Sequence, residues 1–386
     1  MRVAISVERD DPVSRVLEAV GERLSAAGHD VVSSPGSYTG VDAAIFLAYE
    51  DTWRQVREAH PDLKIVLADP KQSRPEWIAA AREADVLIVS SVEQRDVFLR
   101  HNRACLIVPM CPKLPYQPRE HSNREPLVIA YHGNRVHLEC MVRGPKQAIE
   151  ALGRERPVEF VAIYNIEANG KAEIGIPEGA GVTVRHVQWS PDVAPESGVS
   201  RSVVDELRRA DIGIVPSEQP ILNPLEGLER IAFPEPAFVH EPFDHLVRFK
   251  ASTNAGRAWP FARLGVPVIA DFAPSLAQLV EDGVSGMLAS SPEAWHHALV
   301  TLAESPERRG AYADELNRRF EAALARSTDD LVAALTSDTP SPPPVRIEGF
   351  PTAHAQLARF RHDHERSASS VFSRVGTAAS RIFRTR

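Results

Sequence analysis

Two rhythms of apolar and polar residues alternate along the first 108 positions of this chain. Short, nearly unbroken apolar runs recur at Val3 to Val7, Val31 to Val32, Ala43 to Leu47, Lys64 to Ala68, Val86 to Val89 and Cys105 to Val108. Between them lie stretches with helical spacing, at Pro12 to Ala27, Thr52 to Glu58, Trp77 to Ala84 and Glu93 to His101. Apolar runs of about four to eight residues that alternate with helices are strands of a parallel sheet covered on both faces. The pattern predicts a doubly wound α/β domain over residues 1–110. Asp10 and Asp11 follow the first strand, where they either N-cap the next helix or serve a site there.

Pro109 to Pro126, PMCPKLPYQPREHSNREP, is rich in proline and polar residues and reads as a hinge centred on 111–126. A second α/β unit, 127–336, follows. Within it, Lys250, Ser252, Thr253 and Asn254 precede a helical run through Ala255, Ala258, Phe261 and Ala262 that stops at Gly265. Val266 to Ala270 is then a buried strand. A helix N-terminus presents free N–H groups and the positive end of its dipole, so with Lys250 and two hydroxyls beside it the spot suits a phosphate. The same residues also fit a plain N-cap and a solvated lysine.

The stretch GVPVIADFAPSLAQLVEDGVSGML resembles the C-terminal domain of the GT-B glycosyltransferases, specifically the group-1 (family-4) retaining class. Gly265, Pro267, Val268, Ile269 and Ala270 match its G-x-P-V-[IV]-A, and Asp282, Gly283, Gly286 and Leu288 match its D-G-x-x-G-x-L turn. The opening of the same domain resembles Leu127 to Leu152. There Gly133 takes the turn, Asn134 and Arg135 follow it, and RGPKQAIEAL puts Arg143 where the class carries a phosphate-binding lysine. An arginine fork grips phosphate oxygens in two places. RRADIGIVPSE, Arg208 to Glu218, is similar to the class's A-D-[IVL]-x-[IVL]-x-P-S just before the donor site, which implicates Ser217 and Glu218.

The resemblance implies two Rossmann-like doubly wound domains facing a cleft. It implies transfer of a sugar from a nucleotide-diphosphate sugar to a polysaccharide, glycolipid or small-molecule acceptor, with retention, without a metal or other cofactor. Arg143 and Lys250 then stabilise the leaving diphosphate, and Gly133, Asn134, Arg135, Ser217, Glu218, Ser252, Thr253 and Asn254 bind the donor. One departure stands out. The Glu-x7-Glu pair of the class falls on Ser252 and Pro260 here, and the Lys-x-Ser-x-Asn lettering is similar to a divergent branch of the superfamily. A nucleotide-sugar epimerase or phosphorylase on the same fold, and a non-catalytic binding protein, therefore stay open. The segment Pro216 to Arg248 is long, acidic and proline-rich, and Glu218, Glu226, Glu229, Glu235 and Glu241 are its candidate carboxylates.

Composition narrows the class further. At 386 residues the chain is longer than one core normally holds. Its 43% hydrophobic and 25% charged content is that of a globular protein. No run approaches the roughly 18 apolar residues of a membrane span. MRVAISVERDD has no signal-peptide pattern, so a cytoplasmic location is expected. Cys105, Cys111 and Cys140 show no metal or disulfide spacing. A net charge of −8 argues against nucleic-acid binding. A stiff linker, 337–345, leads to a tail, 346–386, whose arginines outnumber its acids. Val371, Val375, Ala378 and Ile382 share one helical face there, so the tail is either a helix for peripheral membrane or partner contact or a disordered solubilising segment. The HDHE string, His362 to Glu365, offers metal donors, but adjacent residues on a helix do not converge on one ion.

Overall fold

The first 107 residues form six parallel strands in the order β2-β1-β3-β4-β5-β6. They are β1 (Arg2–Ile5), β2 (Asp30–Ser33), β3 (Ala43–Leu47), β4 (Lys64–Ala68), β5 (Val86–Val89) and β6 (Cys105–Ile107). Helices α1 (Pro12–Ala26), α2 (Thr52–Ala59), α3 (Pro75–Glu83) and α4 (Val92–Phe98) alternate with them. The computed structural model describes residues 1–7, 12–71, 75–190, 192, 199–217 and 255–337. Every residue of β3 and β5 is buried, as continuous apolar runs require when helices cover both faces. β3 and β4 pair in register from Ala43↔Lys64 to Leu47↔Ala68.

A second parallel sheet follows, ordered β12-β11-β10-β7-β8-β9. Its strands are β7 (Leu127–His132), β8 (Val158–Tyr164), β9 (Val182–Gln188), β10 (Ile212–Val215), β11 (Val268–Asp271) and β12 (Met287–Ala289). The helices are α5 (Arg135–Glu139), α6 (Pro145–Glu155), α7 (Ile166–Asn169), α8 (Arg201–Leu207), α9 (Ala258–Arg263), α10 (Pro274–Ala277), α11 (Pro292–Glu304) and α12 (Pro306–Thr336). Two doubly wound α/β lobes result, as the apolar runs predict. Gly265 follows α9 with φ +66°, and an added Cβ would stand 2.8 Å from the Gln117 carbonyl, so glycine is needed to end this helix.

Residues 109–124 contain neither helix nor strand and lie along the second lobe. Cys111 and Leu114 enter its core. The Trp259 indole N–H donates to the Pro112 carbonyl at 2.9 Å. Arg119 and Arg124 both reach the buried Asp211 carboxylate, which also accepts from the Val128 amide at 2.9 Å. The aspartate of the A-D-I-G motif therefore straps this segment to the sheet.

The closing helix corrects one expectation. From Pro292 to Arg326 the apolar spacing of the sequence reads as two amphipathic helices, but the second of them, α12, runs on to Thr336. Ser327 and Thr328 break the apolar pattern, yet both hydroxyls donate to the Leu324 carbonyl at 2.9 and 2.8 Å and so stay inside the helix. Its first half packs Leu316, Phe320 and Leu324 into the second lobe, and its last turns place Leu331 and Leu335 among Val3, Ile5 and Leu17 of the first. Lys64 Nζ donates to the carbonyls of Ala334 and Leu335 at 3.1 and 2.8 Å, satisfying helix-end acceptors. Among the described residues, no helix is long and apolar enough to cross a membrane. Leu331, 1% exposed, anchors the helix on the first sheet. Leu331→Ala is expected to destabilise the protein by about 2–5 kcal/mol, measured as a lower urea midpoint; an unchanged midpoint would remove that anchor.

Candidate nucleotide-binding crevice

In the second lobe the chain lays down β7, β8 and β9 in one direction, then returns to place β10, β11 and β12 on the other side of β7. β7 leads on to β8 on one side and β10 to β11 on the other, which makes these two neighbouring strands the topological switch point, where open α/β sheets place a ligand beyond the carboxyl ends of the strands. The residues just past those ends build the site.

β7 ends at His132, and Gly133 follows with φ +141°. An added Cβ would stand 2.9 Å from the Tyr131 hydroxyl oxygen and 3.0 Å from Arg257 Cδ, so the turn stays bare. Asn134 caps α5, its side chain accepting from the Val136 amide at 3.2 Å, and the Tyr131 hydroxyl donates to the Asn134 carbonyl at 2.6 Å. Arg135 donates to the Asn169 carbonyl and pairs with Glu139 at 3.7 Å, bracing α5 against α7.

Beyond β10, Pro216 and Ser217 are held by one guanidinium. Arg257 donates through Nη1 to the Pro216 carbonyl at 2.6 Å and through Nη2 to Ser217 Oγ at 2.7 Å. The Arg257 carbonyl pairs with His132 Nε2 at 2.8 Å, and the Ser217 amide donates to the Asp271 carboxylate at the end of β11. Three strand ends are thus tied together. A carbonyl only accepts, so His132 carries its proton on Nε2. Burial pushes the His132 imidazole down to about 4, against its hydrogen bond to the Arg257 carbonyl and helped by the Arg257 charge. The ring is neutral at pH 7. Ser217 Oγ accepts from Arg257 and keeps its own O–H to donate.

Arg257 lies between Gly133 and Ser217, and Asn134 and Arg135 follow Gly133 at the start of α5. Arg143 closes a 3₁₀ turn, Cys140–Arg143, directly ahead of Gly144 and α6. The Arg143 side chain lies outside the described positions, as do Asp10, Asp11, Glu218, Glu226, Glu229, Glu235, Glu241, Lys250, Ser252, Thr253, Asn254 and the segment 338–386. Pro260, the second position of the class's carboxylate pair, is buried in α9. His132, Arg257 and Asp271 were not singled out from the sequence. His132 and Asp271 were findable as the last residues of apolar runs, where the strand-end rule places ligands.

Two doubly wound lobes closed by a helix that returns to the first are the fold of the GT-B glycosyltransferases. No protein-family model and no curated protein matches the sequence. Solved structures do match. A glycosyltransferase from Rickettsia africae superposes with a TM-score of 0.52 at 8% identity, over 88% of this chain and 99% of that one. HepE of Anabaena, solved in complex with UDP, gives 0.51 at 12% identity over 87% and 100%. The sucrose-phosphate synthase of Thermosynechococcus elongatus gives 0.50 at 12% identity over 86% and 98%. At such identities the likeness establishes the fold.

A second half-buried imidazole behaves like His132. His121 pairs through Nε2 with the Gly265 carbonyl at 2.9 Å. Burial pushes it down to about 4; that hydrogen bond and Asp211 resist, while the Arg119 and Arg309 charges add to the fall. Both folded values lie below the ordinary value of about 6.5, so as pH falls through that range the unfolded chain takes up protons first. Stability is therefore expected to decline from about pH 6.5 to about pH 4. Melting temperatures at pH 7.5, 6 and 5 should fall more steeply for the natural protein than for a His121→Gln/His132→Gln variant; parallel curves would contradict this.

Proposed function

We propose that the protein is a glycosyltransferase that moves a sugar from a nucleotide-diphosphate sugar to a hydroxyl-bearing carbohydrate or lipid-linked acceptor. The observation that carries this reading is the crevice at the β7 and β10 ends, where Gly133 clears space and Arg257 fixes Ser217. That is where an open α/β sheet receives its ligand. HepE, which shares the fold, has been crystallised with UDP and with UDP-glucose.

In the reaction, the bond from the sugar's anomeric carbon to the diphosphate oxygen breaks and the bond to the acceptor oxygen forms. The diphosphate leaves with its negative charge, and the acceptor's proton passes to the solvent or a base. Arg143, Lys250 and the amides near Thr253 and Asn254 are assigned to the developing charge, which positive side chains stabilise in place of a metal. Retention of the anomeric configuration follows the class. One observation favours a second reading, a non-catalytic sugar-nucleotide-fold protein. Pro260 stands buried where the class places a donor-contacting carboxylate.

A thermal-shift series with UDP, GDP, ADP, TDP and their sugar conjugates separates the two. A ligand at about 100 times its dissociation constant adds roughly 2.7 kcal/mol. Stabilisation by one nucleotide family, lost in Lys250→Ala, is the expected result, and turnover in Lys250→Ala or Arg143→Ala should fall by about 100-fold or more. No shift with any nucleotide would establish the non-catalytic reading.

A further inference from the structure

Residues 109–124 and α12 both connect the two lobes, and both line a recess of about 490 Å³. That volume falls within the range of ligand sites, about 300–1,000 Å³. Pro112 and Leu114 come from the first connection and Leu324 and Ala325 from α12, while α1 adds Arg23 and α9 adds Trp259. The opposite side of α12, with Phe320 and Ser327, faces a smaller cavity of about 290 Å³. Ser275 lines that second space, and its amide donates to Glu93 of the first lobe at 3.0 Å. Cys111 is the one described residue common to both walls, so the recess is a separate site. It shares no residue with those assigned to the nucleotide.

Two ion pairs settle most of the charge in the recess. Lys113 pairs with Glu22 of α1 at 3.3 Å, and Arg263 pairs with Glu321. Arg23, in the last turn of α1, has no carboxylate partner among the described residues. Its Nη2 donates to the Pro109 carbonyl at 3.2 Å. Nε is enclosed without a partner, and Nη1, which is not enclosed, makes no hydrogen bond either. Burial pulls the guanidinium below its ordinary value, with Cys111 and Glu321 resisting, yet an arginine keeps its charge in a folded protein. A largely desolvated cation with no counter-charge is costly, and an anion relieves that cost. Asp329, also on the wall, is exposed, so solvent and salt screen it. The rest of the wall is mostly apolar. A mostly apolar recess with one unanswered cation suits a ligand that has one anionic group and an apolar body.

We propose that this recess is a second ligand site, which takes a small organic anion with its carboxylate or phosphate on Arg23 and its apolar body against Pro112, Leu114 and Leu324. Both connections between the lobes touch a ligand held there.

Calorimetric titration of the full chain tests this. The probes are benzoate and phenyl phosphate, with benzyl alcohol as the body without charge and inorganic phosphate as the charge without a body. The natural protein is compared with Arg23→Gln, which removes the cation, and with Ala325→Trp, which fills the recess from an exposed position of α12 and leaves Arg23 in place. Melting temperatures without ligand show whether each variant folds. At least one aromatic anion is expected to bind the natural protein, and to bind Arg23→Gln on the order of tenfold or more weakly, the loss of one charge-assisted hydrogen bond. Ala325→Trp is expected to abolish its binding, and benzyl alcohol and inorganic phosphate are expected to bind the natural protein more weakly by a similar factor. If Arg23→Gln does not fold, Ala325→Trp and the benzyl alcohol comparison decide. The proposal is overturned if neither aromatic anion binds, if benzyl alcohol binds as tightly as benzoate, or if either folded variant binds the anion as the natural protein does.

Discussion

The candidate site depends on what Arg257 holds. Its guanidinium fixes the backbone past β10, its carbonyl accepts from His132 Nε2 past β7, and through Ser217 the same network reaches Asp271 at the end of β11. One arginine thus links the strand ends on either side of the topological switch, with two short hydrogen bonds whose geometry a lysine does not reproduce.

The lobes are joined by more than a connecting segment. Residues 109–124 are strapped to the second lobe through Asp211, and α12 passes from the second core into the first. Glu93 adds a polar contact between the lobes beside a cavity.

Much of the fold was legible in the sequence because parallel strands covered on both faces are written as unbroken apolar runs. Ala43 to Leu47, Lys64 to Ala68 and Val86 to Val89 are strands over those residues. The last ten residues of α12 were hidden because Ser327, Thr328, Asp329 and Asp330 interrupt the apolar rhythm, while the Leu324 carbonyl absorbs both hydroxyls. Gly133, Asn134, Arg135 and Ser217 were proposed from the motifs that surround them, and they lie just past the ends of β7 and β10. Arg257 was not, since its meaning lies in the Pro216 carbonyl, 41 positions away, and no local pattern announces such a bond. Glu93 and Ser275, 182 positions apart, are a pair only in three dimensions.

The central claim is that the crevice past β7 and β10 receives a nucleotide diphosphate. Hydrogen–deuterium exchange of the full chain with and without UDP, GDP, ADP or TDP tests it most directly. The account predicts that the nucleotide that binds slows exchange in peptides covering Gly133 to Val136 and Ser217, and leaves peptides from β2 and α2 of the first lobe unchanged. Protection confined to the first lobe, or exchange around Gly133 and Ser217 that no nucleotide alters, would contradict it.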